Sequence, residues 1–199
     1  MNTSIPDSGH VEDAAAHIRA VVHPQIYNHS VRTFLLGREA ARRDGATELD
    51  AESLCLAALF HDSGTADLYN GPSRFEIEGA DAAAEFLQQR GWSAARVDPI
   101  WEAIALHTSP GIAERRGPIA HYLRRGVVIE YGPPELRNTF TAAIAAAEAQ
   151  YARSDLEEVL QTLLIEQALA QPQKAKRPSW VADLLTQHDP DRTGVNPAF

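Results

Sequence analysis

Cysteine is nearly absent: Cys55 is the single thiol in 199 residues. One thiol cannot build an intramolecular disulfide framework, and cysteine-rich zinc sites are excluded with it. Any metal held by this chain must therefore use nitrogen and oxygen. Basic residues are also scarce. Eighteen Lys and Arg stand against 27 Asp and Glu, giving a formal net charge of −9 at pH 7 and a pI near 5.3. So anionic a chain gains little from displacing phosphate counterions, so no nucleic-acid partner is expected and the acidity serves solubility. No stretch reaches the ~20 apolar residues of a membrane span. Met1 to His10 lacks the basic start and apolar run of a secretion signal. A cytoplasmic protein with no membrane partner is the expectation.

What the chain has is helix after helix. At 44% hydrophobic it can build a core, and no alternating strand pattern persists, so the predicted class is all-α. Helices are expected at Glu12 to Val22, from Pro24 toward Arg43 and Gly45, and from about Asp50 to near Gly64. Others are expected at Glu76 to Arg90, Pro99 to Thr108 and Pro118 to Tyr131, each bounded by Pro or Gly. Thr139 to Ala149 is Ala-rich, and Ser154-Asp155-Leu156-Glu157 reads as a capped start to a helix reaching Ala170. These late helices carry no obvious chemistry. Gln171 to Pro178, with Lys174, Lys176 and Arg177, reads as a linker into a short helix from Ser179 to His188 and a frayed tail. The domain organisation is thus a helical bundle over 1–170 with a C-terminal helical extension over 171–199.

Chemistry begins where the apolar run Leu54-Cys55-Leu56-Ala57-Ala58-Leu59-Phe60 ends in His61-Asp62. On a helix, Leu54, Ala58 and His61 form one row and Cys55, Leu59 and Asp62 the next, so both polar side chains leave a buried surface. A buried carboxylate needs a cation or donors, and a divalent metal supplies the charge. His29 lies inside the second helix. With His61 and Asp62 it offers three nitrogen and oxygen ligands from two neighbouring helices, a number that suits a catalytic site. His107 ends the apolar row of Ile100 and Ile104, and Glu130 ends the row of Ile119, Leu123 and Val127. Taken one at a time, these residues also fit plainer roles: Asp62 a loop cap, His61 bonded to a backbone carbonyl, His29 a satisfied core histidine, Glu130 an exposed carboxylate.

Together, Tyr27-Asn28-His29-Ser30-Val31-Arg32, Ala57-Ala58-Leu59-Phe60-His61-Asp62-Ser63-Gly64-Thr65, Arg74-Phe75-Glu76-Ile77-Glu78-Gly79 and Glu102-Ala103-Ile104-Ala105-Leu106-His107 resemble the HD metal-dependent hydrolase superfamily. More narrowly, they are similar to its cyanamide-hydratase-like branch. The resemblance implies a helical bundle holding one divalent metal through His29, His61, Asp62 and Glu130. Its late position is usually Asp, from which Glu130 departs by one methylene. No histidine lies between Asp62 and His107 to help hold a second ion, which also weighs against a dioxygen-using diiron enzyme. Zinc suits the ligand set, with iron and manganese as alternatives. The expected chemistry is metal-activated water adding to an electron-poor centre such as a carbon–nitrogen triple bond, in a small, nearly closed pocket. Thr65, Glu76, Glu78 and His107 are the candidates for proton handling, and Arg32, Arg74 and Phe75 for substrate contact. Two alternatives stand beside this: a phosphohydrolase acting on nucleotides or phosphate monoesters, and a noncatalytic module whose helices a metal staples together. A small-molecule substrate is expected, and homo-oligomerisation stays open.

Overall fold

The computed structural model describes residues 4–189 and contains, among them, helices and no strand. The expected frayed tail falls largely beyond residue 189, outside the described residues. In chain order the helices are α1 (Gly9–Val21), α2 (Pro24–Arg43), α3 (Ala51–Phe60), α4 (Phe75–Gln88), α5 (Ala94–Leu106), α6 (Pro118–Tyr131), α7 (Pro134–Thr139), α8 (Thr141–Glu148), α9 (Leu156–Ala170) and α10 (Trp180–His188). Short 3-10 turns lie at Ser63–Thr65, Asp67–Tyr69, Ala113–Arg115 and Pro172–Ala175.

Local chemistry explains most of these boundaries. The side chains of Ser8, Asp50 and Ser179 each accept an N–H from the first turn of α1, α3 and α10, and Pro24 and Pro118 open α2 and α6 where a missing N–H costs nothing. α5 begins five residues before the expected start at Pro99. Ala95 and Pro99 are both exposed, so the carbonyl that Pro99 leaves without an N–H faces water and the helix continues through it. The Ala-rich segment expected over Thr139 to Ala149 forms α8, and a short helix that was not expected, α7, precedes it, with buried Phe140 turning the chain between them.

α3 is the axis of the bundle, packed by α1, α2, α4, α5 and α6. Its residues from Ser53 to Phe60 are all buried, as a run without a polar face requires. The expected linker is a fastening rather than a solvated spacer. Lys174 is buried, and its ammonium donates to Asn70 Oδ1 and Gly71 O at 2.9 Å each. Gln167 donates to the carbonyls of Gly64 and Thr65. The end of α9 and the turn after it therefore hold the loop that leaves α3, and they deliver α10 to the same side of the bundle.

Candidate metal centre

At the end of α3, His61 keeps helical backbone angles and Asp62 leaves them, at φ −107° and ψ 9°. Both side chains turn inward one residue past a helix already buried on every side. The open carbonyls are closed locally: Ser63 Oγ donates to Phe60 O at 2.8 Å, Thr65 Oγ1 to Asp62 O at 2.6 Å and His61 Nδ1 to Ala58 O at 2.7 Å. A carbonyl can only accept. The His61 proton therefore sits on Nδ1, and the Nε2 lone pair points away from the helix.

His29 is held from a distance. Its Nδ1 meets Glu130 Oε2 at 2.9 Å, across 101 residues of sequence, from α2 to α6. Two glycines permit that approach. A Cβ on Gly37 would collide with the Tyr122 carbonyl, and one on Gly126 with the Thr33 carbonyl. Arg32, itself 1% exposed, donates through Nε and Nη2 to Glu130 Oε1 and through Nη1 to the carbonyls of Tyr151 and Ala152. Burial works against the Glu130 charge, but His29 and Arg32 outweigh it and hold this carboxyl below its usual range. An ionised Glu130 accepts the Nδ1 proton of His29 and directs Nε2 toward His61.

The two Nε2 atoms lie 3.0 Å apart, and Asp62 Oδ2 is 3.3 Å from each. Among the described residues these three form the group able to hold a metal ion. Lone pairs and a carboxylate so close in a buried place repel unless positive charge lies among them. A proton can supply that charge. Burial pushes His29 down, but Glu130 and Asp62 overcome it and raise the pKa to about 9. At His61 burial prevails over the pull of Asp62, with His107 and His29 adding to it, and the pKa falls to about 3. Burial also opposes ionisation of Asp62, yet His61, His107 and His29 keep it well below the ordinary carboxylate range. A divalent cation can supply the same charge. Ligand bonds of ~2.0–2.1 Å in a tetrahedron give donor–donor edges of ~3.3 Å, and this donor set fits that spacing.

The HD domain family model matches residues 26–161, a span that contains His29, His61, Asp62, His107 and Glu130. This chain belongs to the HD-domain family. HD domains are generally metal-dependent hydrolases that bind divalent metals, and the His29–His61–Asp62 cluster is compatible with that property. No curated protein matches the chain.

Within this HD domain, His107 joins the centre from the end of α5. Its Nε2 lies 3.4 Å from the second oxygen of Asp62, and its Nδ1 donates to Ile104 O. Glu76 is buried beside it, accepting from Arg74 Nη2 at 2.7 Å and Thr108 Oγ1 at 2.5 Å. Other expected site residues stand elsewhere. The Arg32 guanidinium is committed to Glu130 and two carbonyls, so it is not free to meet substrate. Phe75 packs edge-on between His107 and Trp180, at 5.6 and 6.3 Å between ring centroids, beneath the wall rather than on it. The Thr65 hydroxyl donates to the Asp62 carbonyl. Glu78 accepts from Ser73 N–H and lines a separate acidic hollow with Asp67, Asp81 and Glu85. Glu130 stands behind His29, not among the atoms that face Asp62.

The centre opens into a cavity of about 690 Å³, lined in part by Arg74, Thr108, Arg124, Tyr131, Leu160 and Trp180. The small, nearly closed pocket expected from the sequence is replaced by a larger one, because α9 and α10 extend its wall beyond the helices that carry His29, His61 and Asp62. Its rim is apolar and partly wet: Ile112 is 54% exposed, and Tyr131 and Trp180 are 37% exposed each. Arg74 was among the expected substrate contacts, whereas sequence reasoning missed Ile112, Tyr131, Leu160 and Trp180. Tyr131, directly after Glu130, was within reach of the pattern. Leu160 and Trp180 lie on helices that carried no chemical signal of their own.

Proposed function

We propose that this HD-domain protein is a metal-dependent hydrolase or hydratase that adds water to a neutral, polarised carbon centre, as in a nitrile or cyanamide. The substrate is a small molecule carrying an apolar body. The observation that carries the reading is the convergence of His29 Nε2, His61 Nε2 and Asp62 Oδ2 beside a cavity whose rim is Ile112, Tyr131 and Trp180. Those three residues would hold a divalent cation, zinc by ligand chemistry with iron or manganese as alternatives, and such an ion would supply Lewis acidity and lower the pKa of water toward neutrality. His107 Nε2 faces the second oxygen of Asp62 at 3.4 Å. Thr108, on the cavity wall and bonded to Glu76, is placed to pass a proton between the cavity and that buried carboxylate.

A neutral reacting centre is favoured because the two arginines on the wall already have partners. Arg74 pairs with Glu76, and Arg124 approaches Glu114 at 3.4 Å while donating to His107 O. Little positive charge remains to gather a phosphate. The apolar rim favours an alkyl or aryl group on the substrate, which extends the cyanamide-hydratase-like branch toward bulkier members. The phosphohydrolase reading keeps one supporting observation, that both arginines line the cavity.

The test pairs elemental analysis of purified protein with a panel of nitriles, cyanamide, isonitriles and nucleotides. About one equivalent of metal with amide production from nitriles supports the proposal. Phosphate release from nucleotides without amide formation replaces it with the second reading. Absence of bound metal together with unchanged thermal stability after chelation leaves a noncatalytic module.

A further inference from the structure

We infer that Glu130 is a positioning residue that fixes the proton of His29 on Nδ1 from behind, leaving the metal with three protein ligands. The inference rests on the metal reading above and deepens it. Three imidazoles surround the Asp62 carboxylate, and each uses Nδ1 as a donor. For His61 and His107 the acceptor is the carbonyl three residues earlier on the same chain segment. Those two rings are oriented by their own helices. Only His29 depends on a side chain, and that side chain comes from α6.

Glu130 is itself immobilised. One oxygen is occupied by Arg32 through two N–H groups, and the other by His29. Arg32 is anchored in turn by the carbonyls of Tyr151 and Ala152, between α8 and α9. A carboxylate so engaged cannot reach around the ring to join Asp62 without abandoning a buried guanidinium. Its service to the metal is to keep the Nε2 lone pair of His29 free and aimed, as outer carboxylates do for ligating histidines.

Glu130→Gln tests this sharply. Arg32 can only donate, so it claims the amide oxygen, and the amide NH2 then faces His29. A donor facing Nδ1 drives the proton to Nε2, the atom the metal needs. Cobalt(II) titration of the full chain, read by its visible bands, separates positioning from ligation. The expected result is Kd weakened roughly 10–100-fold in Glu130→Gln and Glu130→Ala, with the saturated spectrum the same as in the unaltered protein. Glu130→Asp, one methylene short of His29, is weakened as well. A changed saturated spectrum in Glu130→Gln, or Glu130→Asp binding cobalt as tightly as the unaltered protein, overturns the inference, because the carboxylate then bonds the ion directly.

A second measurement needs no metal. Nitrogen-15 NMR of the labelled protein should show a downfield, slowly exchanging His29 Nδ1–H that disappears in Glu130→Gln and Glu130→Ala, and its persistence in both overturns the inference. If the unaltered protein binds no cobalt, the metal reading fails and the NMR comparison alone decides the role of Glu130. If Glu130→Ala does not fold, Glu130→Gln decides it, since it preserves the shape of the side chain.

Discussion

The two histidines of the centre reach the same few ångströms by opposite routes. His61 and Asp62 are placed by what immediately precedes and follows them: an all-apolar helix, a change in backbone angle, and hydroxyls that close the carbonyls within three residues. His29 is placed by α6, through two close glycine contacts, a carboxylate and an arginine that reaches the segment between α8 and α9. The first arrangement is robust because each bond is short in sequence. The second makes the metal centre depend on the packing of the whole bundle.

The largest break in that comparison should come from the local half. His61→Ala or Asp62→Ala is expected to lower bound metal to background and abolish turnover, as measured by elemental analysis and product assay. A fully metallated, active variant of either kind would remove the centre as described. Next is pH. The raised pKa of His29 means that a proton competes with metal, so affinity should fall by about tenfold per pH unit below about 9. Without metal the sign reverses. The protonated ring stabilises the fold fully below 6.5, and that contribution is lost as pH rises through about 9. Metal titrations and chemical denaturation at pH 6, 7 and 8 check both directions, and a pH-independent affinity would show that His29 is not a ligand.

Gly126→Ala acts on the distant half alone. Forcing α6 away from α2 should cost about 1–3 kcal/mol of stability, a fall in Tm of roughly 2–4 °C per kcal/mol in a chain of this size. Metal affinity should weaken through His29 while the His61–Asp62 corner stays intact. Unchanged stability would mean that α2 and α6 do not need their close contact. The smallest effect is expected from Trp180→Ala at the rim. KM for aryl or alkyl nitriles should rise several-fold, in line with about 1 kcal/mol of lost apolar contact. kcat and Tm should stay nearly constant, because the ring is partly exposed and remote from the reacting centre. A loss confined to kcat would place Trp180 in a different role.

Legibility in the sequence followed the same division. The α3 run ending in His61-Asp62 announced both its burial and its chemistry, since seven apolar residues in a row admit few other arrangements. α6 was bounded correctly as Pro118–Tyr131, yet the direction of Glu130 was not visible, because periodicity gives the face of a helix and not which atom of a neighbour its side chain meets. Arg32 looked like a cation for substrate. Only burial beside Glu130 shows that its charge is already committed. Lys174 looked like part of a solvated linker, but whether an ammonium is buried depends on carbonyls about 103 residues away.

By itself the sequence determined that the protein is helical, that a metal would be bound by nitrogen and oxygen, and that a His-Asp pair would emerge from the core. These follow from composition and from interactions reaching three or four residues. The hold on His29, the separation of Glu130 from the atoms facing Asp62, and the width of the cavity were decided by tertiary structure. They depend on how closely helices approach and on which buried charges find partners, and neither quantity exists until distant segments share the same low-dielectric space.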